Sequence, residues 1–217
     1  MAGTAQSLPD PERLLAAIVD IAVKAARVAL RDFQAGQKTT ARIDWKEGGS
    51  PVTSADHAVD AFLAEALQTA APFGYHSEER PTSWRGDALE TAFVVDPIDG
   101  TRNFSEGGEA WCIVIGVISG CRPIAGAVHL PARQETWSAF LGGGAFLNGI
   151  RLNAPKAEQY PLRVTGPKPL FEKLGGHLAE PLHHATPVPA LAHRLLVPLT
   201  GRVDLALLTT EPATSVV

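Results

Sequence analysis

The chain has 217 residues and a formal net charge of −4; 45% of its residues are hydrophobic and 19% are charged. This composition allows a sizeable core and disfavours wholesale disorder, and an acidic balance without a dense Lys/Arg cluster disfavours nucleic-acid binding. The polar N-terminal stretch lacks a signal-like apolar region, and no apolar run reaches the ~20 residues of a membrane span. Because its two cysteines, Cys112 and Cys121, are expected to be reduced thiols, the chain is predicted to be cytoplasmic.

The first predicted element is a long helix within residues 10–33. Asp10 is suited to be its N-cap, and Pro11 occupies the first helical position, where no N–H is needed. Apolar residues recur at helical spacing along one face. They are Leu14, Ile18, Ile21, Ala25 and Val28. The polar stretch 37–51 that follows is predicted to be a loop or an irregular hairpin.

A second helix is expected to begin between Ser54 and Asp56 and to end before Pro72, which cannot continue a helix. Its apolar stripe consists of Val59, Phe62, Leu63, Ala66 and Leu67. Both helices therefore present one apolar face, as is typical of helices that pack on other elements.

The middle of the chain is rich in predicted strands. Short apolar runs bounded by turn residues predict strands at 93–96, 111–118, 123–130 and 135–140. Ser119-Gly120 is the expected turn of the first hairpin, and Asn148-Gly149 is a strong signal for another. The glycine run 142–144 is interpreted as a tight turn between strands.

The last part of the chain is harder to interpret. Residues 155–190 are rich in Pro, Gly and His, and residues 191–207 predict a helix that stops at Gly201 and leads into a strand. The order of elements favours layered sheets and helices, an α/β class, in a single domain over residues 1–217.

The most informative stretch is VVDPIDGTRNF, residues 94–104, in which two aspartates follow an apolar run. The run would deliver Asp96 to the edge of a core, and the next residue, a proline, removes a backbone donor. Asp96, Asp99 and the Ile98 carbonyl could then face one side, which suits a hard cation such as Mg²⁺. The glycine that follows would let the backbone approach an anion. Taken alone, the motif is more typical of a turn with capping aspartates.

Three further pieces accompany this motif in a fixed order: VTSAD (52–56), SEER (77–80) and GGGAFLNG (142–149). Together with the D-P-I-D-G-T-x-N-F core, they resemble the inositol monophosphatase family of Mg²⁺-dependent, lithium-sensitive phosphatases. The resemblance is good over about residues 10–152, where the metal and phosphate site would lie, and weak over 153–217. It returns faintly over LTGRVDLAL.

The resemblance implies the layered α/β sandwich of sugar phosphatases and a homodimer. It implies Mg²⁺-dependent hydrolysis of a small phosphomonoester, an inositol monophosphate or a related polyol or sugar phosphate. Siblings that act on histidinol phosphate, nucleotide 3′-phosphates or fructose bisphosphate leave the substrate open. No nucleic-acid or membrane partner is expected.

The resemblance also implies the ligands of two or three Mg²⁺ sites. Glu78 would ligate metal and help orient the attacking water, whereas Glu79 would brace the site. Asp96 would bridge two metals, the Ile98 carbonyl would bind the first metal, and Asp99 would bind the second.

The same resemblance implies residues that act on the phosphate. Gly100 and Thr101 would offer backbone N–H groups to it, and the Thr101 hydroxyl would position the nucleophilic water. Asp56 would lie in the outer shell of the metals. Lys46, in a flexible loop, would lie near the active site, as a family lysine does.

The chain departs from the family pattern near its end. The family completes its second metal site with a later aspartate in a Trp-Asp stretch, and this chain has none. Either the chain is cut short of that stretch or it lacks the ligand. Asp204 and Glu211 are candidates to substitute for it, although neither is the favoured interpretation. Leu208 falls near the usual substrate-contacting acid, and Ser77 replaces the usual glycine before the Glu pair. A non-catalytic relative that binds a phosphate ligand is therefore a rival hypothesis.

Other features carry less chemistry. A zinc site among His177, His183, His184 and His193 is conceivable, but solvated loop residues are the favoured interpretation. Trp45 and Trp84 flank the acidic motifs and could line a substrate mouth, although partly buried packing residues are the more common case.

Overall fold

A computed structural model of the chain describes residues 9–80, 91–153, 161–175 and 182–208. The chain divides into two compact units, residues 1–152 and 153–217. Each unit combines helices with a sheet, which confirms the expected α/β class. The single domain predicted over residues 1–217 stays a prediction.

Two long helices open the first unit. Helix α1 spans Pro11–Ala29, and Asp10 caps it by accepting hydrogen bonds from the N–H groups of Glu12 and Arg13. Helix α2 spans Ser54–Ala70 and ends before Pro72, as predicted, because the residue preceding a proline disfavours the helical conformation. Within the described ranges, no helix is both long and apolar enough to cross a membrane.

The predicted stripes face the core. The buried positions of α1 are Leu15, Ile18, Ile21, Ala22, Ala25, Ala26 and Ala29. The buried apolar positions of α2 are Ala55, Val59, Leu63 and Leu67. Residues at the margins of the predicted stripes, such as Leu14 and Phe62, are only partly buried and pack against the same core.

Strands β1 (Ile43–Trp45) and β2 (Pro51–Thr53) pair as an antiparallel hairpin. Of the two alternatives predicted for the stretch 37–51, a loop or a hairpin, the structure has the hairpin. The main sheet of the first unit has seven strands in the order β3 to β9. They are β3 (Gly74–Ser77), β4 (Thr91–Asp99), β5 (Cys112–Ser119), β6 (Arg122–Leu130), β7 (Glu135–Phe140), β8 (Gly144–Leu147) and β9 (Ile150–Arg151). Only β3 and β4 are parallel; the other neighbours are antiparallel.

The hairpin turns of this sheet follow from residues that tolerate positive φ. Asn148 and Gly149 have φ of 50° and 78°, which confirms the predicted hairpin. The predicted turn at Ser119-Gly120 is wrong by one residue. Ser119 still pairs with Arg122, so the two loop residues are Gly120 and Cys121, both at positive φ. Cys112 is buried and Cys121 exposed, and both are free thiols.

A short helix, α3 (Thr101–Ser105), directly follows β4. A helix of this length is unstable alone. Phe104 anchors it, since its side chain is fully buried and meets the Trp111 ring edge-on at 5.0 Å between centroids. Phe33 completes this aromatic cluster at 5.2 Å from Trp111. The cluster thereby fixes the chain directly after the two motif aspartates.

The second unit has a three-stranded parallel sheet in the order β11-β10-β12. Its elements are β10 (Leu162–Thr165), α4 (Lys168–Gly175), β11 (Leu182–His184), α5 (Leu191–Leu196) and β12 (Leu205–Ala206). Gly201 stops a 3-10 turn that extends α5 and adopts φ 70°, as predicted.

The prediction that His183 and His184 lie in a loop is wrong, because both belong to β11. The ring of His184 lies 4.6 Å from that of Phe171 and pairs with the Gly166 carbonyl at 3.0 Å, so packing accounts for this residue. His193 is buried on α5, and His177 lies outside the described residues.

Candidate active site

Acidic side chains from separate segments of the first unit converge at one place. Asp96 and Asp99 lie at the end of β4, Glu78 and Glu79 follow β3, and Asp56 lies in the first turn of α2. Because β3 and β4 are parallel neighbours, the residues after β3 emerge beside the end of β4. The sheet therefore assembles the acids that the sequence analysis singled out.

The end of β4 departs from regular pairing where the motif begins. The strand runs from Thr91 to Asp99, beyond the predicted 93–96, and its register with β5 shifts between Asp96 and Asp99. The proline between them has no N–H for a ladder hydrogen bond, which explains the irregularity. Asp99 Oδ2 accepts a hydrogen bond from Cys112 Sγ at 3.5 Å. By contrast, no described residue provides a hydrogen-bond partner for the buried Asp96 Oδ1.

Asp56 is fully buried and belongs to a capping box at the start of α2. Its Oδ2 accepts hydrogen bonds from the Thr53 N–H at 2.8 Å and the Thr53 hydroxyl at 2.6 Å. Its Oδ1 lies 3.0 Å from the Thr101 hydroxyl, which is also 2.9 Å from the Ile98 carbonyl oxygen. One hydroxyl proton can serve only one of these acceptors at a time. Burial raises the pKa of Asp56, although hydrogen bonds from Thr53 and Thr101 favour its charged form.

Gly100 and Thr101 form the junction between β4 and α3. Gly100 is the N-cap of α3 and adopts φ 90°, a left-handed conformation that glycine takes without strain. The first N–H groups of a helix have no partner within it, and this applies to those at the start of α3. These groups are the ones expected to meet a phosphate.

Lys46, from the hairpin β1–β2, supplies the positive charge that faces the acids. Its Nζ lies 2.7 Å from Glu79 Oε1 and 3.6 Å from Glu78 Oε1. The Glu79 side chain is only 3% exposed, whereas that of Glu78 is 48% exposed. Burial opposes the charged form of Lys46, but the hydrogen bond to Glu79 and the two negative charges outweigh it and raise its pKa. Glu78 is thus the more accessible member of the pair.

The acids repel one another. Burial, followed by the charges of Glu78, Asp99, Asp56 and Glu79, raises the pKa of Asp96 to about 8. Burial also raises the pKa of Glu78, with Lys46 opposing the shift. A cation bound here would relieve this repulsion and favour the charged carboxylates.

These donors fit a magnesium ion in their chemistry. Mg²⁺ prefers oxygen ligands, and the site offers several carboxylates and a backbone carbonyl. One of the carboxylate oxygens, Asp96 Oδ1, is buried and has no partner within the described part of the chain. In the part of the chain that the structure describes, no group of three or more His, Cys, Asp and Glu side chains is arranged so that it could hold a metal ion by itself. Mg²⁺ usually keeps several waters and needs only a few protein oxygens, so an open arrangement is compatible with it.

The two candidate substitutes for the late aspartate are Asp204 and Glu211. Asp204 lies in the second unit, and both of its oxygens bond to Arg163, whose Nε and Nη2 each lie 3.0 Å away. The Arg163 side chain thereby holds the pKa of Asp204 below its usual value. Glu211 and Trp84 lie outside the described residues.

Trp45 lies next to Lys46 in the chain and is 65% exposed, so it is not a buried packing residue. Its ring centroid lies 5.9 Å from the Arg102 guanidinium carbon, and Arg102 also donates to the Gly49 carbonyl at 3.3 Å. These two contacts join the β1–β2 hairpin to α3.

The sequence analysis did not identify the residues that attach the Glu78-Glu79 segment to α2. Asp60 on α2 contacts both Tyr75 in β3 and Arg80 directly after the Glu pair. Asp60 follows Asp56 by one helical turn, and this spacing was the one available signal that the two acids share a face.

Comparison with known proteins gives a consistent result. The model of the inositol monophosphatase family matches residues 10–192. An inositol-1-monophosphatase of Mesorhizobium japonicum is 34% identical over 140 residues, which cover 64% of this chain and 52% of the relative. A histidinol-phosphatase of Mycobacterium tuberculosis is 39% identical over 108 residues, 48% of this chain and 40% of that protein. The chain thus spans about half the length of such relatives.

A solved structure shows the same fold. An IMPase/NADP phosphatase complexed with Mg²⁺ and phosphate superposes with a TM-score of 0.69, at 18% identity, over 86% of this chain and 70% of that one.

Proposed function

The chain belongs to the inositol monophosphatase family, whose members are phosphatases, and from this membership we propose that it hydrolyses a small phosphomonoester with Mg²⁺. The observation that carries the proposal is the environment of Asp96. Four other acids act on its carboxylate electrostatically, and its buried Oδ1 has no hydrogen-bond partner among the described residues. A hard cation bound here together with a phosphate would neutralise the charge of Asp96 and coordinate its oxygen.

In this proposal Glu78, Asp96, the Ile98 carbonyl and Asp99 hold the metal. When bound, Mg²⁺ supplies a water of lowered pKa and neutralises charge on the phosphate. Glu78 is the more exposed residue of the Glu pair, so it is suited to orient the attacking water. The products are orthophosphate and an alcohol, without a covalent phospho-enzyme.

Thr101 is proposed to position the same water. Its hydroxyl donates to Asp56 or to the Ile98 carbonyl, so its lone pairs remain free to accept a hydrogen bond from a water. Asp56 therefore acts through Thr101, as an outer-shell residue that fixes the rotation of its hydroxyl.

The phosphate is proposed to bind at the start of α3. The N–H groups of Gly100 and Thr101 would donate to its oxygens, because anions bind at helix N-termini. Lys46 would add positive charge: its ammonium has three donors, and the contacts to Glu78 and Glu79 leave at least one for the substrate.

The substrate is proposed to be inositol monophosphate or a related polyol or sugar phosphate. The Mycobacterium tuberculosis relative keeps histidinol phosphate as an alternative with the same chemistry. Since the chain spans about half of these relatives, the metal count is also part of the proposal, and a second site without the late aspartate would be incomplete. A cytoplasmic homodimer remains our expectation.

The test is phosphate release from a panel led by inositol 1-phosphate and histidinol phosphate, with Mg²⁺ or with EDTA. Asp96→Asn serves as the site variant. Asp44→Asn is the matched control, because Asp44 is an exposed acid paired with Arg42 in the first unit. We expect Mg²⁺-dependent release that survives in Asp44→Asn and is lost in Asp96→Asn. Equal release by both variants would contradict the proposed site.

The rival hypothesis is a non-catalytic phosphate binder. It predicts that calorimetry detects Mg²⁺ binding to the wild-type chain while no ester in the panel is hydrolysed. Absence of both binding and hydrolysis in the folded chain would contradict both hypotheses.

A further inference from the structure

The Glu78-Glu79 segment is attached to α2 at both of its ends by a single buried carboxylate. The Asp60 side chain is 3% exposed. Its Oδ1 accepts a hydrogen bond from the Tyr75 hydroxyl at 2.7 Å, and its Oδ2 contacts Arg80 Nε. Tyr75 precedes the Glu pair in the chain and Arg80 follows it. The four residues from Ser77 to Arg80 therefore cannot shift along α2 without breaking a contact of Asp60.

Arg80 makes a second contact that fixes its own position. Its guanidinium carbon lies 5.5 Å from the centroid of the Tyr75 ring, which is within the range of a cation–π interaction. The planar guanidinium thus contacts both Asp60 and Tyr75. A lysine at this position would keep the charge but lose this planar geometry.

The turn between these two anchors is itself ordered. Ser77 is buried, its hydroxyl accepts a hydrogen bond from the Glu79 N–H at 3.2 Å, and its backbone forms a bridge with Arg80. The backbone that carries the Glu pair is therefore held by contacts separate from those of the Lys46 ammonium, which lies near the two carboxylates.

Helix α2 connects this anchor to the other half of the site. Asp56 and Asp60 lie one turn apart on the same face. Asp56 contacts Thr101, beside the end of β4, and Asp60 holds the segment after β3. One helix face thus sets the distance between the acids of the two strands.

We propose that Arg80 is a positioning residue, which through Asp60 holds the Glu78-Glu79 segment where Glu78 can bind a divalent cation. The inference rests on the proposed metal site and extends it to residues that do not touch the metal. Without the contact between Asp60 and Arg80, the Glu pair moves with Lys46 and its distance from Asp96 increases. Cation affinity then falls while the fold persists.

The test compares cation affinity with stability in the full chain. Mg²⁺ and Mn²⁺ affinities are measured by calorimetry, and thermal unfolding is followed by circular dichroism in EDTA. The variants are Arg80→Met, Arg80→Lys and Asp60→Asn. Arg163→Met is the matched control, since Arg163 also pairs with an aspartate but lies in the second unit.

We expect Arg80→Met to weaken cation binding about tenfold, comparable to losing an outer-shell partner of a metal ligand. Arg80→Lys should restore only part of the affinity, and Arg163→Met should leave it unchanged. If Arg80→Met does not fold, Asp60→Asn, which keeps the size and one oxygen of the side chain, provides the same comparison. The double variant that combines Arg80→Met and Asp60→Asn should bind the cations no more weakly than Arg80→Met alone. Both substitutions disrupt the same contact, the one between Asp60 and Arg80.

The outcomes separate this inference from the proposed function. Lower melting temperature with unchanged cation affinity in Arg80→Met and Asp60→Asn would assign the network a purely structural role and overturn the inference, leaving the metal site intact. A folded wild-type chain that binds neither cation would overturn the metal site and the inference together.

Discussion

Replacing Asp96 by asparagine should stabilise the metal-free protein at neutral pH, although it removes a proposed metal ligand. Burial and the neighbouring acids raise the pKa of Asp96 to about 8, against 3.8 for an ordinary aspartate. A carboxyl whose folded pKa is raised destabilises the fold once the unfolded chain ionises. The cost is absent below about pH 4, grows as the pH rises and becomes constant above about pH 8. Asparagine has the same shape and never ionises, so it removes this cost.

The magnitude follows from the size of the shift. Each pH unit between the unfolded pKa and the working pH contributes about 1.4 kcal/mol. Relative to a chain with a neutral side chain at this position, the free energy of unfolding of the wild type is therefore lower by about 4 kcal/mol at pH 7. At pH 8 or above it is lower by about 6 kcal/mol. Water entry and small movements of the neighbouring acids lower these upper bounds, and we expect a measured gain of about 2–4 kcal/mol for Asp96→Asn at pH 7.

The assay is urea unfolding of the wild type and Asp96→Asn between pH 5 and pH 9 in EDTA. The difference in the free energy of unfolding between Asp96→Asn and the wild type should increase with pH and level off above about pH 8. Adding Mg²⁺ should stabilise the wild type and not the variant, so that their order reverses. Asp44→Asn, at an exposed acid, should show no such pH dependence. A difference that stays constant from pH 5 to pH 9 would refute the assigned environment of Asp96.

Two further predictions concern charged contacts. Lys46→Met should tighten Mg²⁺ binding roughly five- to tenfold, because its ammonium neutralises Glu78 and Glu79 in the absence of metal; weaker binding measured by calorimetry would contradict this. Asp204→Asn should lower the melting temperature, since it disrupts the contacts with Arg163, and should leave Mg²⁺ affinity unchanged within about twofold. A large loss of Mg²⁺ affinity in that variant would instead make Asp204 a metal ligand.

Features encoded by neighbouring residues were predictable from the sequence. Helix α2 begins at Ser54 as expected, because Thr53 and Asp56, three positions apart in the chain, form a capping box. The turn at Asn148-Gly149 follows from two residues that tolerate positive φ. The turn after β5 was misplaced because Ser119-Gly120 has the composition of a turn, whereas strand pairing shifted the loop to include Cys121.

Strand β3 was not predicted because nothing in its sequence requires a strand. Gly74–Ser77 is short, and its residues alternate between partly buried and buried only because β4 pairs with them in parallel. Parallel pairing depends on residues distant in sequence. The motif at residues 94–104 could therefore reveal the chemistry of one strand end, but not which second segment would lie beside it.

Asp56 and Asp60 show why the rest of the site could not be derived from pattern alone. Both are buried aspartates on the same face of α2, and helical periodicity places them identically. Their roles differ because of their partners: Thr101 bonds to Asp56, and Tyr75 with Arg80 bonds to Asp60. The pairing of β3 with β4 selects those partners, so the division between a residue that orients a hydroxyl and one that anchors the Glu pair is a property of the sheet. Motif residues therefore specify what the site can bind, and the buried contacts behind them specify the geometry in which they bind it.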